Sequence, residues 1–233
     1  MNDKRNVSLE LLEKTNIIDQ KYSSKCYKAI CKITSGEKTG TGFFCKILDP
    51  DNSSKNIIVL FTCHHVINPN KKEKVNKIYY KFINEENEDN EEDKGKEIIL
   101  KDQGRRDWSN QEIDYYCIEM LEKDNIHNYL YIDKNMYEKN NYTKDNFSIL
   151  IFISQQLSLD SIQKISEYNL FYKNTTKNGW SGSPVIRNDN YEVIGIHKGK
   201  NKDQKEKIGI LLKYILKDMK KEPLEYDEEY NIR

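Results

Sequence analysis

The sequence predicts an all-β fold of two antiparallel six-stranded β-barrels, preceded by a short N-terminal extension and closed by a C-terminal helix. Three observations carry that expectation. Short runs rich in Val, Ile, Tyr and Phe alternate with polar stretches along most of the 233 residues, as half-buried strands do. The runs fall into two groups, divided by a polar interval near 122–128. No segment repeats at the roughly 20–50-residue period of solenoids and propellers.

Taken in order, residues 8–19 (S-L-E-L-L-E-K-T-N-I-I-D) begin with a capping serine and continue at helical spacing, so a short helix is expected within the extension 1–20, outside the barrels. The first strand group covers 26–34, 41–48, 57–63, 77–83, 97–101 and 114–121, enough for one barrel within 21–125. Inside it, the acidic run N-E-E-N-E-D-N-E-E-D at 84–93 reads as a solvated hairpin tip. The second group covers 129–132, 147–153, 161–167, 168–172, 184–187, 192–197 and 207–214, and is assigned to a second barrel within 126–233. The polar, Asn-rich stretch 133–146 contains no element. Helical spacing returns in L-L-K-Y-I-L-K-D-M-K at 211–220, and the acidic tail E-P-L-E-Y-D-E-E-Y is expected to be loose.

Composition excludes several classes of function. Hydrophobic residues make up 36% and charged residues 33% of the chain, against usual values of about 45–50% and about 25%, so long polar loops are expected. With 38 basic and 38 acidic side chains the net charge is zero, which argues against general attraction to nucleic acid or anionic lipid. No apolar run has the length of a signal peptide or a membrane span, so a cytoplasmic location is expected. The five cysteines, Cys26, Cys31, Cys45, Cys63 and Cys117, lack metal-ligand spacing and read as buried reduced thiols. No metal or cofactor is called for.

The segment N-G-W-S-G-S-P-V at 178–185 is the most informative. A serine on a tight, glycine-flanked turn before a β-branched strand is how a hydrolase presents a nucleophile, and Ser181 is that candidate. A hydroxyl needs a base and an orienting acid. His65 stands at the polar corner after an apolar strand in L-F-T-C-H-H-V-I, and Asp114 opens the apolar run of E-I-D-Y-Y-C-I-E-M. Strand alternation would turn His64 to the opposite face from His65. The backbone N–H groups of Gly179 and Ser181 are the candidate oxyanion donors. Gly40 and Gly42, in G-E-K-T-G-T-G, lack the Lys-Ser/Thr of a phosphate loop and read as close-packing points where the nucleophile's loop meets the first barrel.

With G-T-G-F-F at 40–44, F-T-C-H-H-V-I at 61–67, I-D-Y-Y-C-I at 113–118, and T-T-K-N-G-W-S-G-S-P-V-I running on to E-V-I-G-I-H at 192–197, the chain resembles trypsin-like serine proteases of the chymotrypsin fold. The resemblance is nearest to the glutamyl endopeptidase branch. It implies a His65–Asp114–Ser181 triad, hydrolysis of peptide bonds through an acyl-enzyme, and a protein or peptide substrate. It also implies that Thr175 lies at the base of the specificity pocket and that Thr176 and His197 hold an acidic side chain of the substrate. Lys198, Lys200 and Lys202 would form a cationic rim. No zymogen cleavage motif is present, so control by a regulatory partner or by localisation is the expectation, with the 20-residue N-terminal extension the first place to look for it. Trp180 departs from the family, which usually has Asp, Asn or Ser there; a catalytically inactive, protein-binding version of the fold is the alternative. An α/β-hydrolase esterase is disfavoured, because Ser183 breaks G-x-S-x-G and Pro184 begins a β-branched run where a helix should start.

Overall fold

The computed structural model describes residues 28–67, 75–83, 95–137, 148–153, 156–173, 179–200, 206–224 and 227–231. The expected helix at 8–19, Cys26 and the acidic run at 84–93 lie outside these residues.

The first sheet contains β1 (Ile30–Ser35), β2 (Lys38–Asp49), β3 (Asn52–Thr62), β4 (Lys77–Phe82), β5 (Lys96–Ile99), β6 (Asp107–Asn110), β7 (Tyr115–Met120) and β8 (Leu130–Tyr131). Its order is β5-β4-β1-β2-β3-β7-β6, with β8 added parallel to β2. The β1–β2 hairpin turns on Gly36, whose φ of +58° supplies the left-handed residue that a two-residue hairpin needs. At the β2–β3 hairpin, the Asp51 amide donates to Asp49 Oδ1 at 3.0 Å beside Pro50, a side-chain-stabilised turn. A one-turn helix, α1 (His64–Ile67), follows β3 directly.

The second sheet contains β9 (Ser148–Ile153), β10 (Gln156–Ser161), β11 (Lys164–Glu167), β12 (Asn169–Tyr172), β13 (Pro184–Arg187), β14 (Val193–Lys200), β15 (Lys207–Leu211) and β16 (Asp227–Asn231). Its order is β10-β9-β13-β14-β15-β12-β11-β16. The closing helix α2 (Leu212–Met219) falls within the stretch read as helical and buries Tyr214, Ile215 and Met219. Its Asp218 reaches the first sheet, accepting from Asn110 Nδ2 at 3.2 Å and from the Tyr115 hydroxyl.

The predicted all-β class and the closing helix are present, but each sheet carries eight strands where six were expected. The pairing paths end at β5 and β6, and at β10 and β16, and no pairing among the described residues closes either sheet into a barrel. Two of the additional strands, β6 and β16, come from segments with no readable alternation. β6 (D-W-S-N) is polar and short, and β16 lies in the tail expected to be loose. Backbone amides pair β16 with the open edge of β11, a contact that needs no apolar side chains. The stretch 129–132, expected in the second barrel, is divided between the sheets: Leu130 and Tyr131 pair with β2, and Ile132 bridges to Val193 of β14. Cys31, Cys45, Cys63 and Cys117 are buried thiols, in agreement with the sequence reading. No helix of the described residues is long and apolar enough to cross a membrane.

Candidate active site

His65 does not end a strand. β3 stops at Thr62, and His64 and His65 begin α1, so their side chains diverge by the roughly 100° of successive helical residues instead of by strand alternation. His64 is buried, and burial lowers its pKa. The His65 side chain is half-exposed at 47% and faces a cleft. Lys38 Nζ donates to the His65 carbonyl at 2.8 Å, tying the helix to β2.

Asp114 ends the turn between β6 and β7. Asn110 builds that turn: its Oδ1 accepts from the amides of Glu112 at 2.9 Å and Ile113 at 3.2 Å, and its carbonyl accepts from the Asp114 amide at 2.8 Å. Asp114 has φ of +73°, a left-handed conformation that costs most residues about 1 kcal/mol or more and that Asp and Asn tolerate best. The strained backbone aims the carboxylate at α1. Asp114 Oδ1 accepts the His65 backbone amide at 2.9 Å, and His65 Nδ1 lies 2.8 Å from Oδ2. With Nδ1–H donating to the carboxylate, Nε2 carries the lone pair. Lys198 Nζ, 4.0 Å from Oδ2, adds positive charge on the far side.

Ser181 comes from the second half of the chain, on a loop clamped to β2. The Thr41 amide donates to the Ser181 carbonyl at 2.9 Å, and the Thr41 hydroxyl donates to the Gly179 carbonyl at 2.9 Å. Gly179 (φ +91°) and Gly182 (φ +97°) take conformations that L side chains rarely adopt, and a Cβ on Gly182 would collide with the Thr41 carbonyl. A Cβ on Gly40 would crowd Val66 and approach the Ser181 carbonyl at 3.1 Å, which agrees with the close approach read from the sequence. Gly42 instead packs within the first sheet, against Ile33 and Leu60. The Ser181 hydroxyl donates to the Lys198 carbonyl at 2.9 Å.

A cleft of about 410 Å³ joins these groups, lined among others by His65, Gly179, Ser181, His197, Lys200 and Lys207. The structure thus brings together five of the sequence-predicted residues: His65, Ser181, Gly179 and His197 on the cleft, with Asp114 behind His65. Thr175 and Thr176 lie outside the described residues. His197 is buried, its Nδ1 is 2.6 Å from the Tyr172 hydroxyl, and burial, with the charges of Lys207 and His65, pushes its pKa down to about 3. It is neutral at ordinary pH. Lys207 and Thr41 were missed: a lysine in K-E-K-I reads as solvated, and nothing local marks Thr41 as the clamp on a loop 138 positions away.

Cys63 Sγ, a His65 ring nitrogen and an Asp114 carboxylate oxygen lie within 4.8 Å of one another, the spacing of a metal-ligand set. Each has other chemistry. The Cys63 thiol donates to the His197 carbonyl at 3.3 Å, and burial, reinforced by Asp114, raises its pKa well above the usual thiol value. A cation there would have to ionise that thiol and break the His65–Asp114 bond.

No protein family and no curated protein matches the sequence. Solved structures do match. The serine protease domain of the Sesbania mosaic virus polyprotein is similar with a TM-score of 0.50 and 17% identity, over 81% of this chain and 90% of that one. A catalytically inactive tobacco etch virus protease, solved in complex with substrate, is similar with a TM-score of 0.51 and 12% identity, over 90% of each chain. Rv3671c from M. tuberculosis H37Rv is similar with a TM-score of 0.51 and 13% identity, over 81% of this chain and 83% of that one. At these identities the likeness establishes the fold, that of chymotrypsin-like proteases.

Proposed function

We propose that the chain is a serine endopeptidase in which Ser181 attacks the peptide carbonyl, His65 takes and returns the proton, and Asp114 orients His65. The observation that carries this reading is the 2.8 Å contact between His65 Nδ1 and Asp114 Oδ2 in the cleft that also presents Ser181. In this reaction the Ser181 hydroxyl turns about χ1 from the Lys198 carbonyl toward His65 Nε2. Its proton passes to Nε2 as Oγ bonds to the substrate carbon, and Asp114 stabilises the imidazolium. The N–H groups of Gly179 and Ser181 receive the oxyanion, at about 3–4 kcal/mol for a donor of this kind. The proton then moves from His65 to the leaving amine, and water hydrolyses the acyl-enzyme by the reverse sequence.

The proposed two-domain division, 21–125 and 126–233, follows the origin of these groups: His65 and Asp114 come from the first part and Ser181 from the second. The proposed preference is for cleavage after Glu or Asp, as in the glutamyl endopeptidase branch, with Thr176 and His197 in contact with the substrate side chain and Thr175 at the pocket base. The described residues lining the cleft include Lys38, Lys200 and Lys207 and no acid, which supports an acidic ligand.

The test is labelling with a fluorophosphonate, which reacts only with an activated serine. Wild type should be labelled, and Ser181→Ala should be neither labelled nor active, losing on the order of 10⁴-fold or more in turnover. Labelling that persists in Ser181→Ala would remove Ser181 as nucleophile. Two observations favour a second reading, a peptide-binding module that does not cut: the Ser181 hydroxyl bonds to the Lys198 carbonyl, and Trp180, the residue preceding Ser181, is half-buried. That reading predicts peptide binding with no labelling of the wild type.

A further inference from the structure

Lys207 is the first residue of β15 and is only 8% exposed. It pairs across the sheet with Tyr172 of β12 and with Lys200 of β14. Two residues on, Gly209 points to the same face, opposite His197. A Cβ at Gly209 would stand 3.3 Å from the Tyr172 hydroxyl, the group that bonds His197. This face of β14 and β15 is therefore the wall on which His197, Lys200 and Lys207 line the cleft beside Ser181.

The charge on that wall has no counterion among the described residues. Burial and the neighbouring Lys200 both lower the Lys207 pKa, and no acid opposes them. The buried Arg105 shows the contrast: it is held by Asp124 through bonds of 2.8 and 2.9 Å. An ammonium withdrawn from water without a partner is costly, so a fold that keeps one has a use for it. His197 cannot supply the charge, because it is neutral above about pH 3.

We propose that Lys207 selects the substrate: its ammonium group binds the side-chain carboxylate of a Glu or Asp residue in the peptide occupying the cleft. The counterion absent from the wall arrives with the ligand. This deepens the acidic preference proposed above and rests on the peptide-cleaving reading. His197 plays the neutral part. With the Tyr172 hydroxyl donating to Nδ1, 2.6 Å away, Nε2–H is left to donate to the same carboxylate. Lys200, at the exposed end of the wall, attracts acidic peptides to the cleft.

The experiment separates binding from cleavage by using the full chain with Ser181→Ala. Two pools of acetylated hexapeptide amides, randomised except for a central Glu in one and Gln in the other, are passed over the immobilised chain, and retained peptide is measured by mass spectrometry. The Glu pool should be retained about tenfold more strongly than the Gln pool. Adding Lys207→Met, which keeps the aliphatic stem, should bring the ratio near unity, and Lys207→Arg should restore it. Equal retention of the two pools, or a Glu preference that survives Lys207→Met, would overturn the proposal. Fluorophosphonate labelling of the wild type is a separate result: its failure removes the cleavage reading and leaves the peptide pools to decide the role of Lys207. Stability gives a second check. Lys207→Met should melt higher than its parent, because it deletes a buried charge that has no counterion among the described residues, and a lower melting temperature would mean that the ammonium is satisfied within the fold.

Discussion

His197 should make the fold sensitive to acid, by an amount that can be worked from its surroundings. The ring is 1% exposed, and burial is the main cause that lowers its pKa from 6.5 to about 3, with the charges of Lys207 and His65 acting in the same direction. In the unfolded chain the same ring titrates near ~6.5. Between the two values the unfolded state binds a proton that the native state refuses, so stability falls as pH drops through this window. At about 1.4 kcal/mol per pH unit, about 2 kcal/mol should be gone at pH 5 and about 4 kcal/mol at pH 3, where the native ring begins to protonate as well. Against a total of ~5–15 kcal/mol for a typical domain, this decides survival in acid. The assay is urea unfolding followed by circular dichroism at pH 7.5, 6 and 5, on wild type and on His197→Gln, whose amide oxygen can still accept from Tyr172. The variant should start less stable yet lose about 2 kcal/mol less on going to pH 5. His64 and the carboxylates contribute to both chains and cancel in the difference. Parallel pH slopes for the two proteins would refute the argument.

Three further outcomes are expected. Asp114→Asn should lower turnover by roughly 10⁴-fold by reversing the tautomer of His65, with little change in melting temperature, because Asn also tolerates the +73° φ; a collapse in stability would instead make Asp114 structural. His65→Ala should abolish fluorophosphonate labelling without loss of stability, since the side chain is half-exposed, whereas His64→Ala should lower stability and keep labelling within about tenfold; equal labelling losses would leave the base unassigned. Gly182→Ala should cost about 3 kcal/mol or more in thermal denaturation, because a Cβ at φ +97° meets the Thr41 carbonyl; an unperturbed melting curve would mean the loop is held less tightly than these contacts imply.

Much of the fold was legible because its signals are local. β2, β3, β7, β13 and β14 announce themselves through alternating or continuous apolar runs, and α2 through its spacing. The candidate site was legible for a similar reason. Ser181 sits between glycines that its turn demands, His65 follows an apolar strand, and Asp114 precedes one. What was misread lies where pairing depends on a partner strand: β6 and β16 are too short or too polar to carry a period, β8 is a readable run whose partner is β2 of the first sheet, and β10, though Q-L-S-L-D-S alternates, is fixed as a strand by pairing with β9.

The sequence by itself determined which residue types stand ready for nucleophilic chemistry and in what chain order, since a glycine-flanked serine and an acid tolerant of positive φ are properties of short segments. Tertiary structure alone decided how those groups are charged and clamped. Thr41 reaches across 138 positions to pin the Gly179 carbonyl. Asp114 grips both the amide and the ring of His65 across 49 positions. Burial between sheet, helix and cleft makes His197 neutral and lowers the pKa of Lys207, because desolvation depends on everything packed around a group and on almost nothing beside it in the chain.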